Sequence, residues 1–112
     1  AARSAANLLT EAALYMSMAL SRFEEANSAL ELALRLHQFW SGQAYRTHLV
    51  GTDVARTLHT QGQVARYRGR LLEAAVHLDK ALEIRKGLVK VSEIHLWDVA
   101  STLHELGVLR LK

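Results

Sequence analysis

The sequence predicts an all-α chain of antiparallel helix pairs, stacked as a solenoid of about two and a half units. Three observations predict it. Ala and Leu dominate a chain of 112 residues with no proline and 6% aromatics; these are strong helix formers, whereas strands favour β-branched and aromatic side chains. Apolar residues recur with a helical period. The chain also repeats itself. "VARTLHTQG" at 54–62 returns as "VASTLHELG" at 99–107, so that Val54, Ala55, Thr57, Leu58, His59 and Gly62 recur 45 positions later as Val99, Ala100, Thr102, Leu103, His104 and Gly107. Self-similarity at 20 to 50 residues marks units that bury their apolar faces only by stacking on neighbours.

The first unit spans 4–39. Leu8, Leu9, Ala12, Ala13, Met16 and Leu20 keep the helical period from near Ser4, and "LSRF" is a short turn. Phe23, Ala26, Leu30, Ala33, Leu34 and His37 resume the period, with Glu24, Glu25 and Glu31 on the other face. This pattern is an amphipathic helical hairpin. "WSGQAYRTHLVGT" has two glycines and no period, and it predicts a connection over 40–52. Connections of that length are often functional.

The second unit spans 53–89. Asp53 is expected to cap its first helix by accepting from amides of the first turn. Gly69 in "RGR" suits the left-handed residue that ends a helix. Leu71, Ala74, Ala75, Leu78, Ala81, Leu82 and Arg85 share one side of the partner helix. A connection over 90–97 and a cap at Asp98 introduce the first helix of a third unit, 98–112. That helix has no partner in the sequence. Together with the absent initiator methionine, this predicts an excerpt of a longer protein.

Composition narrows function. The chain has no cysteines, which removes disulfides and thiolate metal sites and fits a cytoplasmic setting. No apolar run approaches the roughly 20 residues of a membrane helix, so no membrane partner is expected. The net charge of +3 is concentrated in residues 37–70, where five Arg face one Asp, against three Arg and four Glu before and six of each sign after. A local basic face favours an acidic partner.

"LHTQGQVARYRGRLLEAAVHLDKALEIR" resembles a tetratricopeptide repeat. The small residues Gly62 and Gly107, the turn "RGR", and the sets Ala74, Leu78, Ala81, Leu82 and Ala26, Leu30, Ala33, Leu34 carry the likeness, with "RFEEA" at 22–26 close to the family's turn signature. "DVARTLHTQG", "DVASTLHELG" and "KALEIRKGL" are similar to the kinesin light chain and nephrocystin type. Gly51–Thr52 and Leu96–Trp97 stand where that type has His-Pro. His59–Thr60 and His104–Glu105 stand where its asparagines follow "TL", so no cargo preference carries over. In the first unit Leu14 is expected at the small-residue position.

The resemblance implies a right-handed α-solenoid whose first helices line a concave groove. It places Arg56, His59, Gln63, Arg66 and Tyr67 there from the second unit. From the third it places Ser101, His104, Val108, Leu111 and Lys112, and from the first Leu8, Glu11, Tyr15, Met18 and Ala19. Arg56, His59, Gln63, Arg66, Tyr67 and His104 are the expected partner-binding residues. Arg offers a rigid fork of donors to carboxylates and Tyr offers rigid contact area.

Competing chemistries are weaker. "ARYRGR" has too few basic groups for a nucleic-acid footprint. The six histidines form no His-Glu-x-x-His or His-x₃-His pair, so no metal is expected. No nucleophile triad, phosphate loop or carboxylate pair is recognisable, and neither enzyme activity nor a cofactor is expected. Trp40 and Trp97, next to the connections, are expected to cap the apolar ends of helix pairs, the alternative being exposed anchors for a partner. His37 and His77 are expected on helix surfaces or in packing, and His48 and His95 in connections. The expected function is a scaffold that holds a peptide or partner domain. The alternatives are a sensor or autoinhibitory segment of a larger signalling ATPase, and self-association through the unpaired last helix.

Overall fold

The computed structural model describes residues 2–40, 47–89 and 96–110. They form five helices: α1 (Ala2–Leu20), α2 (Phe23–Trp40), α3 (Thr47–Tyr67), α4 (Leu71–Val89) and α5 (Leu96–Arg110). Every described residue outside the turns 21–22 and 68–70 is helical. α1 pairs with α2 and α3 with α4; α3 also packs on α1 and α2, while α5 lies mainly on α4. No described helix is long and apolar enough to cross a membrane.

Two apolar clusters hold the helices together. One gathers Ala13, Ala26, Leu30 and Val64. The other gathers Ala65, Ala74, Leu78, Leu82, Leu106 and Leu109. Val64 and Ala65 are neighbours in sequence on opposite flanks of α3, so this helix is the wall common to both clusters. Its burial on two sides explains why so many of its positions are interior, polar ones included: Asp53, Thr57, His59 and Thr60 are all buried.

Both pair turns need one residue at positive φ. Gly69 (φ 84°) closes α3, and Ser21 (φ 53°) closes α1. Gly69 sits in a Schellman motif: the amide of Arg70 donates to the carbonyl of Ala65 (2.8 Å) and that of Gly69 to Arg66 (2.9 Å). At the end of α1 the amide of Arg22 reaches Met16 instead, at 3.0 Å, one residue further back. α1 therefore holds one extra residue in its last turn.

That extra residue shifts the alignment of the units. Ala26 and Ala74 are 48 apart, but upstream of the turn the equivalent positions are 49 apart: Met16 with Ala65, Ala13 with Gly62. The small residue of the first pair is thus Ala13, fully buried against Ala26 and Leu30, and not Leu14 as expected. The predicted apolar side of α1 is corrected in the same way. Leu8 and Leu20 are exposed, and the interior is Ala6, Thr10, Ala13 and Ser17. On α2 and α4, Ala26, Leu30, Ala33, His37, Ala74, Leu78, Ala81, Leu82 and Arg85 of the expected side are buried, while Phe23, Leu34, Leu71 and Ala75 are half-buried.

The two expected caps are also corrected. α3 begins at Thr47, not after the connection over 40–52, and Asp53 is a fully buried residue in its second turn. Gly51 was misleading as a breaker. A Cβ there would lie 3.4 Å from Leu88 and 3.9 Å from Ile84 of α4, so the glycine lets the end of α4 pack closely. His48 is accordingly helical. α5 begins at Leu96, and Asp98 lies within its first turn, where a negative charge still complements the helix dipole. Residues 41–46 and 90–95, with His95 among them, lie outside the described residues, as do Leu111 and Lys112.

Candidate functional site

The junctions between successive pairs are built around a threonine. At the first junction Thr57 of α3 donates to the carbonyl of Asp53, one turn back, at 3.1 Å. Its hydroxyl also meets His37 Nε2 of α2 at 3.0 Å and Thr10 Oγ1 of α1 at 3.0 Å. With its proton on Asp53, Thr57 can only accept from His37, which sets the Nε2–H tautomer. Thr10 Oγ1 also lies 3.0 Å from the carbonyl of Ala6, so its one proton is shared between that carbonyl and Thr57.

The second junction repeats the plan 45 residues on. Thr102 of α5 donates to the carbonyl of Asp98 at 3.1 Å. Arg85 of α4 occupies the place of His37, and its Nη1 reaches Thr102 Oγ1 (2.7 Å), His59 Nδ1 (3.1 Å) and the carbonyl of Asp98 (3.2 Å). His59 of α3 occupies the place of Thr10, with Nδ1 3.2 Å from Thr102. Arginine can only donate, so Nδ1 is the acceptor and His59 carries its proton on Nε2. Burial, reinforced by the charge of Arg85 and only partly offset by Glu105 and Asp98, depresses the His59 pKa to about 4. The imidazole is neutral at pH 7. Burial likewise lowers the Arg85 pKa, opposed by Asp98.

Thr57→Val keeps the shape and removes the hydroxyl. It would leave His37 and Thr10 facing a methyl group, and a buried partner left unsatisfied costs about 1–3 kcal/mol. Urea unfolding should show a lower midpoint with an unchanged slope. An unaltered midpoint would mean that the junction is held by its apolar contacts alone.

The six expected partner-binding residues divide. Arg56, Tyr67 and His104 are exposed and Gln63 is half-buried. His59 is only 8% exposed and Arg66 is half-buried, so neither stands on an open groove. The physical reason is the same for both: α5 lies against this flank of α3. Arg66 Nε is 3.1 Å from Glu105 of α5, and its guanidinium lies 4.9 Å above the ring of Tyr67. The one-residue shift in α1 also changes the first unit's set. The equivalents of Arg56, His59, Gln63, Arg66 and Tyr67 are Asn7, Thr10, Leu14, Ser17 and Met18, of which Thr10 and Ser17 are buried and Met18 is exposed.

No family model, no curated protein and no solved structure matches this chain. Its site is therefore read from its own residues. Sequence reasoning passed over the junction groups: Thr57 and Thr102 were visible only as repeat markers, and Arg85 only as a member of an otherwise apolar stripe. An arginine at the seventh apolar position of a helix is the signal that could have found them. His37, expected on a surface or in packing, is 1% exposed and belongs to the first junction. His77 is half-buried 3.9 Å from Glu73 on its own helix. Trp97, expected to cap an apolar end, is 84% exposed at the start of α5; the side chain of Trp40 lies outside the described residues.

Proposed function

We propose that the chain is a tetratricopeptide-type scaffold, a right-handed stack of helix pairs that binds an acidic peptide or loop across the free faces of α1, α3 and α5. One observation carries this reading. On the central helix Arg56 is exposed, and further along the same face Tyr67 is 42% exposed with Arg66 stacked on its ring. The stacked guanidinium holds the ring in place, so a partner meets a rigid aromatic anchor and an exposed cation about three turns apart. Gln63 between them and His104 on α5 add polar contacts. Rigid aromatic and arginine contacts are those that dominate binding energies, and groove charge sets which partner is admitted.

The test uses a panel of fluorescent peptides alternating apolar residues with Glu or with Lys, titrated by anisotropy. The Glu series should bind more tightly and should weaken as salt rises, because exposed charges are screened over about 8–10 Å at physiological ionic strength. Arg56→Glu should weaken the Glu series at least ~10-fold, as loss of a charge-assisted contact costs about 1.5–3 kcal/mol. Arg66 is not a clean probe, since Arg66→Glu would face Glu105 and loosen α5. Equal binding of both series, or indifference to Arg56→Glu, would move the site elsewhere.

A further inference from the structure

We infer that the occupant of the groove proposed above is a single amphipathic helix laid across α1, α3 and α5. One of its flanks is an apolar stripe. The other carries an acid over Arg56 and, about seven residues away, a base over Glu11. This occupant rests on the groove reading and gives the partner a conformation and a charge pattern.

With Ala13 aligned to Gly62, each first helix offers an equivalent line of positions, three or four residues apart and so on one face. On α3 the line is Arg56, Thr60, Gln63 and Tyr67. On α1 it is Asn7, Glu11, Leu14 and Met18, and on α5 Ser101, Glu105 and Val108. α3 packs on both α1 and α5, so the lines run side by side, and their chemistry changes from one end to the other. The ends far from the hairpin turns are polar: Arg56, Ser101 and Glu11 are exposed and Asn7 is half-buried. The ends near the turns are apolar: Met18 is 57% and Tyr67 42% exposed, with Leu14 and Val108 half-buried. Thr60, only 5% exposed, is the floor between them. Glu105 is engaged by Arg66 at 3.1 Å. Among the described residues this leaves Arg56 and Glu11 as the exposed charges of the three lines.

Size and charge state what fits. Arg56 and Tyr67 lie about 16 Å apart along α3, at about 1.5 Å per residue. A helix with its side chains is about 10–12 Å across. Lying over Thr60 and Gln63, it reaches the tyrosine with one flank and the arginine with the other. An extended segment points alternate side chains to opposite faces. Laid on either end, it turns half of them away from the floor and leaves the other end uncovered. Packed helices lie about 8–10 Å apart, some six to seven residues of a helix crossing them. Positions that face α1, α3 and α5 in turn therefore repeat about every seven residues, the period of an amphipathic stripe. The change of sign between Arg56 and Glu11 then decides which end of the occupant lies on α1. The acid sits at the centre and the base one repeat nearer α1.

The experiment titrates the whole chain into two synthetic peptides of about eighteen residues, enough helix to span the three lines, and of identical composition. One has a leucine stripe of helical period, with a glutamate and a lysine seven apart on its other flank. The second permutes the same residues so that apolar and polar alternate. Anisotropy reads affinity, and carbon chemical shifts of the bound peptide read its conformation. The helical pattern should bind at least ~10-fold more tightly, about one apolar contact's difference. It should gain helical shifts on binding, since an isolated helix of that length is marginal in water. Met18→Glu should weaken it about tenfold by the same measure. Arg56→Glu should weaken it until the peptide's glutamate is changed to lysine, and Glu11→Lys until its lysine is changed to glutamate. All three positions are exposed, so the melting temperature of each variant should stay in place. Equal or tighter binding of the alternating peptide, lost in Arg56→Glu, would overturn the helical occupant and leave the groove reading standing. So would a helical-pattern peptide that binds without helical shifts. Binding of neither peptide, or binding indifferent to both Arg56→Glu and Met18→Glu, would overturn the occupant and the groove together.

Discussion

Gly62→Leu is expected to lower stability by about 3 kcal/mol or more, the upper range for overpacking a well-filled site. The hydrogen of Gly62 lies where even a Cβ would overlap two atoms of Leu78 and press on the carbonyl of Ala74. Leu78 is itself fully buried in a cluster with Ala65, Ala74, Leu82, Leu106 and Leu109, so moving it displaces other core side chains. Relief requires α3 and α4 to part, which would loosen α5 as well. Thermal unfolding checks this, as a loss of that size shifts the midpoint by more than ~10 °C in a domain of about this length. Gly107→Leu is the internal control: a Cβ there would meet nothing within 4 Å, so the same substitution at the equivalent position should leave the midpoint in place. Parallel losses in both variants would show that helix geometry, not the α3–α4 contact, decides the result.

Acidification should produce the second large effect. The His59 pKa is about 4 in the folded chain against 6.5 for an exposed imidazole. The unfolded chain therefore takes up the proton first, and stability is lost as pH falls from 6.5 towards 4. A difference of that size corresponds to about 3 kcal/mol. His77 is lowered too, chiefly by burial, and adds a smaller loss of the same sign. His59→Asn separates the two. Urea midpoints at pH 7 and 5 should differ clearly in the parent and much less in the variant, in a window above most carboxylate titrations. Because His59 faces Thr102 and Arg85, the protonated ring would repel Arg85, and α5 should lose amide protection before α1 and α2. Uniform loss of protection would mean that the junction does not govern the acid response.

The fold and the junctions were legible to different degrees, for reasons the residues make clear. α2 and α4 could be read almost position by position, because each has one interior face and its stripe is Ala and Leu. α3 could not, because it is buried on two sides. A helix interior on both flanks loses its clean period, and here it spends interior positions on Asp53, Thr57 and His59 that look like surface residues or caps. Gly51 compounded the error, since a glycine chosen for close packing against Leu88 looks the same in sequence as one that breaks a helix. The shift between Leu14 and Ala13 was hidden for a subtler reason. It depends on whether the amide after the turn reaches five or six residues back, which Ser21 and Gly69 do not announce. For the candidate site, sequence placed six residues on one stripe. It could not say that α5 would lie against part of that stripe and turn His59 and Arg66 into packing residues.

The paired junctions bear on the order in which units can be strung together. Arrays of identical repeats can be shuffled, because every interface is the same and stability adds along the chain. The two junctions here share an acceptor, a threonine four residues after an aspartate, but not the groups that meet it. Thr57 reads a threonine and a histidine, Thr10 and His37. Thr102 reads a histidine and an arginine, His59 and Arg85. Exchanging the second helices would set His37 beside His59 with no guanidinium to share, and Arg85 beside Thr10 with one acceptor fewer. Each unit thus carries a two-residue address on the side it offers to its successor.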